Sequence, residues 1–155
     1  MIDVIKVASY IYQRYQRQFG TCIEEMKLHK LLYFVQRESL VQLGRPLFAE
    51  PFEAWRYGPV LVKIRHLYKT NQLNHQLSHA EFVRYKPVFD FVFENYASKD
   101  AWTLSSITHG ESSWQKARQG ILPEEQSQCK LQIEDIRMDA ERIKQRRLVL
   151  KALQA

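Results

Sequence analysis

The chain has 155 residues, 45% hydrophobic and 26% charged, with a formal net charge of +6 and a sequence pI of about 9.4. These values fit one ordinary globular domain with a sizeable core and exclude a membrane-spanning helix, since no apolar run approaches the ~20 residues a bilayer requires. A basic excess admits nucleic acid or an acidic protein as partner, but it is spread over Arg14, Arg17, Arg56, Lys63 and Arg65 and a final cluster from Arg142 to Lys151 rather than gathered into one patch.

Asp3 caps a first predicted helix running to about Gln18, with Val4, Val7, Ala8, Ile11 and Tyr15 on one face and Gly20 as its stop. A second helix spans about 24 to 43. Leu28, Leu31, Leu32 and Val35 form its core stripe, and Tyr33 and Phe34 widen it, so this helix is expected to be central. Thr21 and Glu24 have capping-box spacing, although the start could equally fall two or three residues later. Lys27, His29, Lys30, Gln36 and Arg37 lie off the stripe, where a solvated face, a partner surface or a DNA-reading helix are the alternatives.

Residues 46 to 60 carry three prolines, four aromatic residues and one glycine. Proline removes amide donors, so this is no regular helix. It is also too aromatic for a solvated linker. An ordered, near-extended connector is expected, with a short strand at Phe52 to Arg56. Gly58-Pro59 is expected to open the next helix, with the glycine as cap and the proline at the first position.

That third helix is predicted from Pro59 to Lys69, with Asn71 as a left-handed cap and a polar loop over 72 to 77. Ser78 and Glu81 have capping-box spacing. Pro87 conflicts with the apolar run around it, and a break there, with a helix beginning near Pro87, is the preferred reading. Phe89, Val92, Phe93 and Tyr96 then face inward. Asp100 caps a short helix to Thr108, burying Leu104 and Ile107. Ser112 or Ser113 caps another that carries Trp114 and Ala117 and ends at Gly120. A polar loop over 124 to 130 precedes a last helix from about Gln132 to Leu153, with Ile133, Ile136, Ala140, Ile143 and Leu150 inward. Its acidic first half and basic second half complement the helix dipole. The fold class is therefore mainly α, a compact domain of six or seven helices with at most a short strand or hairpin near residues 50 to 56.

Signatures of chemistry are few. There is no phosphate-binding glycine loop and no G-x-S-x-G elbow. His75 and His79 lack the H-E-x-x-H pattern, and Cys22 and Cys129 lack C-x-x-C spacing, so neither a metal nor a cofactor is expected. Two free thiols suit a reducing cytoplasm. Met1-Ile2-Asp3-Val4 also lacks the features of a signal peptide, so a cytoplasmic location is expected. Ser105, Thr108, His109, Glu111 and Ser112 are the nearest approach to a nucleophile-and-base cluster. A histidine at a helix end is better explained by the last-turn carbonyls, and no enzymatic activity is expected. Trp55, Arg56 and Tyr57 beside Gly58 have the composition of a protein-binding hot spot.

Three blocks resemble a known family. Met26-Lys27-Leu28-His29-Lys30-Leu31-Leu32-Tyr33-Phe34-Val35-Gln36 is similar to its L-K-L-Q-K-L-L-Y-F-A-Q signature. Pro46-Leu47-Phe48, then Phe52-Glu53-Ala54-Trp55-Arg56-Tyr57-Gly58-Pro59-Val60, is similar to its P-L-F followed by E-A-W-x-Y-G-P-V. Trp102, Leu104, Ser105, Ile107, Thr108 and His109, then Trp114, Ala117 and Arg118, resemble its L-S-x-x-T-H and W-x-x-A-R. Order and spacing agree over about residues 3 to 120, and the chain is identified as a member of the Panacea domain antitoxin family, which is phage-associated.

The resemblance implies an antitoxin that binds a cognate protein toxin directly, in some members presenting it to a protease, with no enzymatic activity. It implies structural roles for Lys30, Leu31, Leu32, Tyr33, Gly58, Pro59, Trp102, Leu104, Ser105 and Thr108. The expected partner-binding residues are Trp55, Arg56, Tyr57, His109, Trp114 and Arg118. His29 and Glu24 depart from the family pattern, which has Gln and Ser or Thr there. Residues 1 to 122 are expected to form the Panacea-like domain. Residues 123 to 155 match poorly and are expected to supply a loop and a basic helix for specificity or homo-oligomer formation. A DNA-binding, autoregulatory helical protein is the alternative.

Overall fold

The structure, a computed structural model, describes residues 1–155. It contains seven helices and one hairpin: α1 Val4–Phe19, α2 Glu25–Leu43, β1 Glu53–Trp55, β2 Gly58–Val60, α3 Val62–Lys69, α4 His79–Asn95, α5 Ala101–His109, α6 Ser112–Ala117 and α7 Ile133–Gln154. The mainly helical class and the hairpin near residue 53 agree with the sequence reading. No helix is long and apolar enough to cross a membrane.

Helix α2 is the axis of the molecule. Helices α1, α3, α4, α5 and α7 and strand β2 all pack on it, and every residue from Lys27 to Leu40 is buried. Leu28, Leu31, Leu32, Phe34 and Val35 join Val7, Ile11, Phe48, Phe52, Phe89, Val92 and Leu104 in one continuous core. Of the alternatives for the polar face of α2, the solvated face does not hold. Lys27, His29, Lys30, Gln36 and Arg37 are each at most 6% exposed.

Partners from distant segments explain how a polar face is buried. Gln36 Nε2 donates to Phe48 O at 2.9 Å, and its Oε1 accepts from the amides of Leu47 (2.8 Å) and Phe48 (3.3 Å). One amide side chain thus anchors the start of the 46–60 connector. Replacing Gln36 with leucine leaves those three backbone groups unpaired in the core. The expected loss is about 2–4 kcal/mol of unfolding free energy, read by urea denaturation. A loss under about 0.5 kcal/mol would show that the anchor is dispensable.

The helix ends follow local chemistry in part. Asp3 accepts from the Ile5 amide at 3.0 Å, and Gly20 adopts a left-handed φ of 71°. The Ser78–Glu81 capping box forms in both directions. Asn71 takes φ 55°, as expected, one residue beyond Thr70. No Thr21–Glu24 box forms: Glu24 precedes α2 without a side-chain bond. Helix α4 runs straight through Pro87, against the expected break. Pro87 and Val83 are both exposed residues, so the helix bond that the proline removes lies on the outer side of α4. Neither Ser112 nor Ser113 caps α6 with its side chain. Their amides are held from α7 by Asp139 Oδ1 and Oδ2, both at 2.9 Å.

Gly58-Pro59 does not open a helix. The pair starts β2, which runs antiparallel to β1 with Trp55 opposite Gly58 and Arg56-Tyr57 as the two-residue turn. Helix α3 begins only at Val62, after Leu61, whose amide bonds His29 Nδ1 at 3.2 Å. The 124–130 loop returns to the hairpin. Cys129 O accepts from the Ala54 amide at 2.7 Å, and the Leu131 amide donates to Phe52 O at 2.9 Å. Helix α7 then buries Ile136 and Ala140 against α2 and α6, but Ile133 and Leu150 are 37% and 51% exposed, so the inward stripe expected for α7 stops short of its end. Arg147, which interrupts that stripe, binds both oxygens of Glu38 and lies over the Phe91 ring.

Candidate functional site

The hairpin tip gathers most of the residues expected to bind a partner. The Trp114 indole N–H donates to Trp55 O at 2.9 Å, and its ring stacks on His109 with centroids 4.2 Å apart. Ser105 Oγ donates to Tyr57 O at 2.6 Å. Tyr57 meets Trp102 edge to face at 5.2 Å, and the Arg56 guanidinium lies 5.0 Å from the Tyr57 ring. Trp55, Arg56, Tyr57, His109 and Trp114 therefore form one neighbourhood, with Trp102 at its rim. Tyr57 and Trp102 are 41% and 61% exposed, a pairing of large apolar groups that folding alone does not require.

Arg118 lies behind this face. It is 5% exposed, and its guanidinium donates to the carbonyls of Ala54 (2.9 Å), Leu122 (2.9 Å) and Glu125 (2.5 Å) while packing over the Trp114 ring. A buried guanidinium with several carbonyl acceptors is well suited to hold a loop against a strand. Its position is one of support.

Beneath the α5–α6 corner is a buried polar network that the sequence reading missed. Tyr33 Oη lies 2.9 Å from Glu111 Oε2, 3.1 Å from Ser113 Oγ and 3.2 Å from Asp139 Oδ2. Arg37 pairs with Glu111 at 2.8 Å and donates to the Tyr96 hydroxyl at 2.7 Å. Burial, opposed by the Arg37 charge, pushes the Glu111 carboxyl above its usual value. Burial and the two nearby carboxylates keep the Tyr33 phenol protonated. Arg142 adds a bond to Asp139 at 2.9 Å. No buried side-chain nitrogen or oxygen lacks a partner, so the network fixes the corner that presents Trp102, His109 and Trp114.

The serine and threonine hydroxyls of this corner donate to backbone carbonyls. Ser105 gives its only proton to Tyr57 O and stands 3.5 Å from His109 Nε2. Thr108 Oγ1 donates to Ser105 O at 2.8 Å. Glu111 is engaged by Tyr33 and Arg37. No nucleophile, base and orienting group are linked in sequence as covalent catalysis requires. Burial, and then the nearby Lys30 charge, lowers the His109 pKa and favours the neutral ring.

Between α2, the hairpin and α3 is a cleft of about 510 Å³. Lys30 and His29 line it, and both are 1% exposed. Lys30 Nζ donates to Pro59 O at 3.2 Å. Burial pulls its pKa down to about 7. At the rim, Glu25 bonds Arg65 at 2.7 Å and His29 at 3.2 Å. Burial alone would raise the Glu25 carboxyl, but the His29 and Arg65 contacts hold it below its usual value. Burial likewise lowers the His29 pKa. The sequence marked His29 and Lys30 as polar positions off the α2 stripe, but spacing along one helix does not show the cleft that the hairpin and α3 close over them.

The family described as "Antitoxin SocA-like, Panacea domain" matches residues 28–115, more than half of the chain, and takes in the hairpin, Lys30, Tyr33, Arg37, His109 and Trp114. Antitoxin SocA of Caulobacter vibrioides (strain NA1000 / CB15N) is 53% identical over 38 residues, 24% of this chain and 20% of that protein. The match thus spans about a fifth of the length of that curated relative. No solved structure matches. With most of the central helix, the hairpin and the start of α6 after α5 inside the matched segment, the chain belongs to the SocA-like antitoxin family that carries the Panacea domain.

Proposed function

We propose that this protein is an antitoxin that neutralises a protein toxin by direct contact through its hairpin face. The observation that carries this reading is the exposed Tyr57–Trp102 pair with Arg56 beside it, held on a hairpin whose backbone is bonded from three sides. Aromatic residues and arginine on a rigid support are the usual anchors of a protein interface. Inhibition by occlusion needs such anchors and no perturbed acid–base pair.

The test is co-expression with the neighbouring open reading frame. The neighbour should be toxic alone and harmless beside this protein, and the two should co-purify. The double substitution Tyr57→Ala with Trp102→Ala should weaken binding by at least ~100-fold, as loss of two interface anchors implies, while leaving the melting temperature within about 2 °C. A neighbour that is harmless, or equally toxic with and without this protein, removes the reading. Delivery of the toxin to a protease is distinguished by repeating the assay in a host lacking its ATP-dependent proteases. Neutralisation by occlusion persists there.

The basic surface gives less support to DNA binding. Arg14 is paired with Asp90, Arg65 with Glu25, Arg142 with Asp139 and Arg147 with Glu38.

A further inference from the structure

We propose that the cleft between α2, the hairpin turn and α3 captures the free C-terminal carboxylate of a polypeptide, with Lys30 as its counter-charge. The proposal rests on the reading that the hairpin face meets a polypeptide, and it names what that polypeptide presents. Two observations carry it. Lys30 is 1% exposed, yet its ammonium, which has three donors, makes one hydrogen bond, to the neutral carbonyl of Pro59. Two turns along α2, the equally buried Arg37 has Glu111 as a full counter-charge. An ammonium held so deep with one neutral acceptor is pushed toward the neutral amine, against the attraction of the Glu25 carboxylate, and an anion in the cleft would complete the charged form.

The surroundings select the anion. Met26, Trp55 and Val60 give the cleft apolar walls for a terminal side chain. Arg56 stands in the turn above with no carboxylate in ion-pair contact, and its charge favours an anion entering from solvent. A volume of about 510 Å³ lies in the range of sites that enclose a small ligand, and it suits the last residues of a chain entering end on. Capture of a terminal carboxylate is a recurrent mode of peptide recognition. A chain end reaches a deep ammonium with no flanking backbone to accommodate on its far side, which an internal acidic residue cannot do.

The charged and titratable groups around Lys30 are Glu25 and His29 on its own helix, Arg56 in the turn, Arg65 on α3, His109 on α5 and Glu124 in the returning loop. Burial lowers the pKa of both histidines, so between pH 6.5 and 9 the charge on Lys30 is the one that changes most. A carboxylate therefore binds the low-pH form, and its affinity falls as the pH rises.

The test is fluorescence polarisation on the full chain with a labelled pentapeptide, Gly-Ala-Ser-Leu-Leu, in three forms: free acid, C-terminal amide, and an amide with glutamate as its last residue. The free acid should bind at least ~10-fold more tightly than either amide, and at least ~10-fold more tightly at pH 6.5 than at pH 9, because only the protonated fraction is competent. Lys30→Met keeps the apolar stem and should lose the acid preference, and because it also leaves the Pro59 carbonyl without its donor its binding is compared only on chain shown to be folded by circular dichroism. Acid and simple amide binding within twofold overturns the proposal, as does no binding of the acid at millimolar concentration. Equal binding of the glutamate amide overturns the chain end as the source of the carboxylate. The acid–amide comparison on wild type needs no variant, so a Lys30→Met chain that failed to fold would not protect the idea. Toxin neutralised without any acid preference overturns the cleft and leaves the antitoxin reading standing. Acid preference without neutralisation does the reverse.

Discussion

Asp139→Ala is expected to lower the unfolding free energy by about 3–5 kcal/mol, the range for removing one member of a buried charged network. Asp139 has no exposed surface, and its two oxygens accept from the amides of Ser112 and Ser113, from Tyr33 Oη and from Arg142. Alanine leaves the first turn of α6 without its acceptor, and Arg142 without its nearest counter-charge. Natural domains are stable by only about 5–15 kcal/mol, so the variant should melt early and lose the α5–α6 corner first. Urea denaturation measures the effect as a lower midpoint at unchanged slope. Arg142→Gln, which removes a partner that is 45% exposed, should cost no more than about 1 kcal/mol. If the two variants unfold at the same midpoint, Asp139 does not have the central role assigned to it.

The second large effect is expected at Gly58. A methyl group there would stand 2.5 Å from Lys30 Cε, 2.7 Å from Thr108 Oγ1 and 3.0 Å from Lys30 Nζ, at a φ of 121° that L-residues rarely adopt. Lys30 has little room to move aside, because it is buried and bonded to Pro59 O. Backbone strain of about 1–3 kcal/mol and crowding of similar size together give an expected loss of about 2–6 kcal/mol for Gly58→Ala. Partner binding should fall further than stability does, since the displaced element carries Trp55, Arg56 and Tyr57. Gly44→Ala is the control: its φ of 70° is also left-handed, but a methyl group there meets nothing within 4 Å, so about 1 kcal/mol is expected. Equal losses at the two positions would mean that the close approach of Lys30 and Gly58 is incidental.

The elements themselves were largely legible in the sequence. Asp3, Ser78 with Glu81, Asp100 and Gly20 mark helix ends by chemistry confined to a few residues, and each acts as that chemistry requires. What could not be read was decided by contacts across long separations. Periodicity sorted α2 into an apolar stripe and a polar remainder, but Arg37 is matched by Glu111 and Glu38 by Arg147, 74 and 109 residues away. Gly58-Pro59 is compatible with a helix start or a strand. The choice is made by Lys30 beneath it and by the Leu61 amide bonding to His29. Ser112 and Ser113 look like caps, and the acceptor is supplied from α7 instead. Trp55, Arg56, Tyr57, His109 and Trp114, grouped as candidates by residue type and resemblance, lie together in the fold. The depth of Arg118 and the cleft above Lys30 required the fold.

The backbone of the small hairpin has a consequence for how any partner can be recognised. The outward groups of β1 are taken: the Ala54 amide donates to Cys129, and the Ala54 carbonyl accepts from Arg118. On β2 the outward residue is Pro59, which has no amide, and its carbonyl is occupied by Lys30. Both margins of the ribbon are thus closed to an incoming extended segment, so β-augmentation is barred to a ligand here. Selectivity must then reside in side chains at the tip, which can be exchanged one by one without altering the ladder behind them.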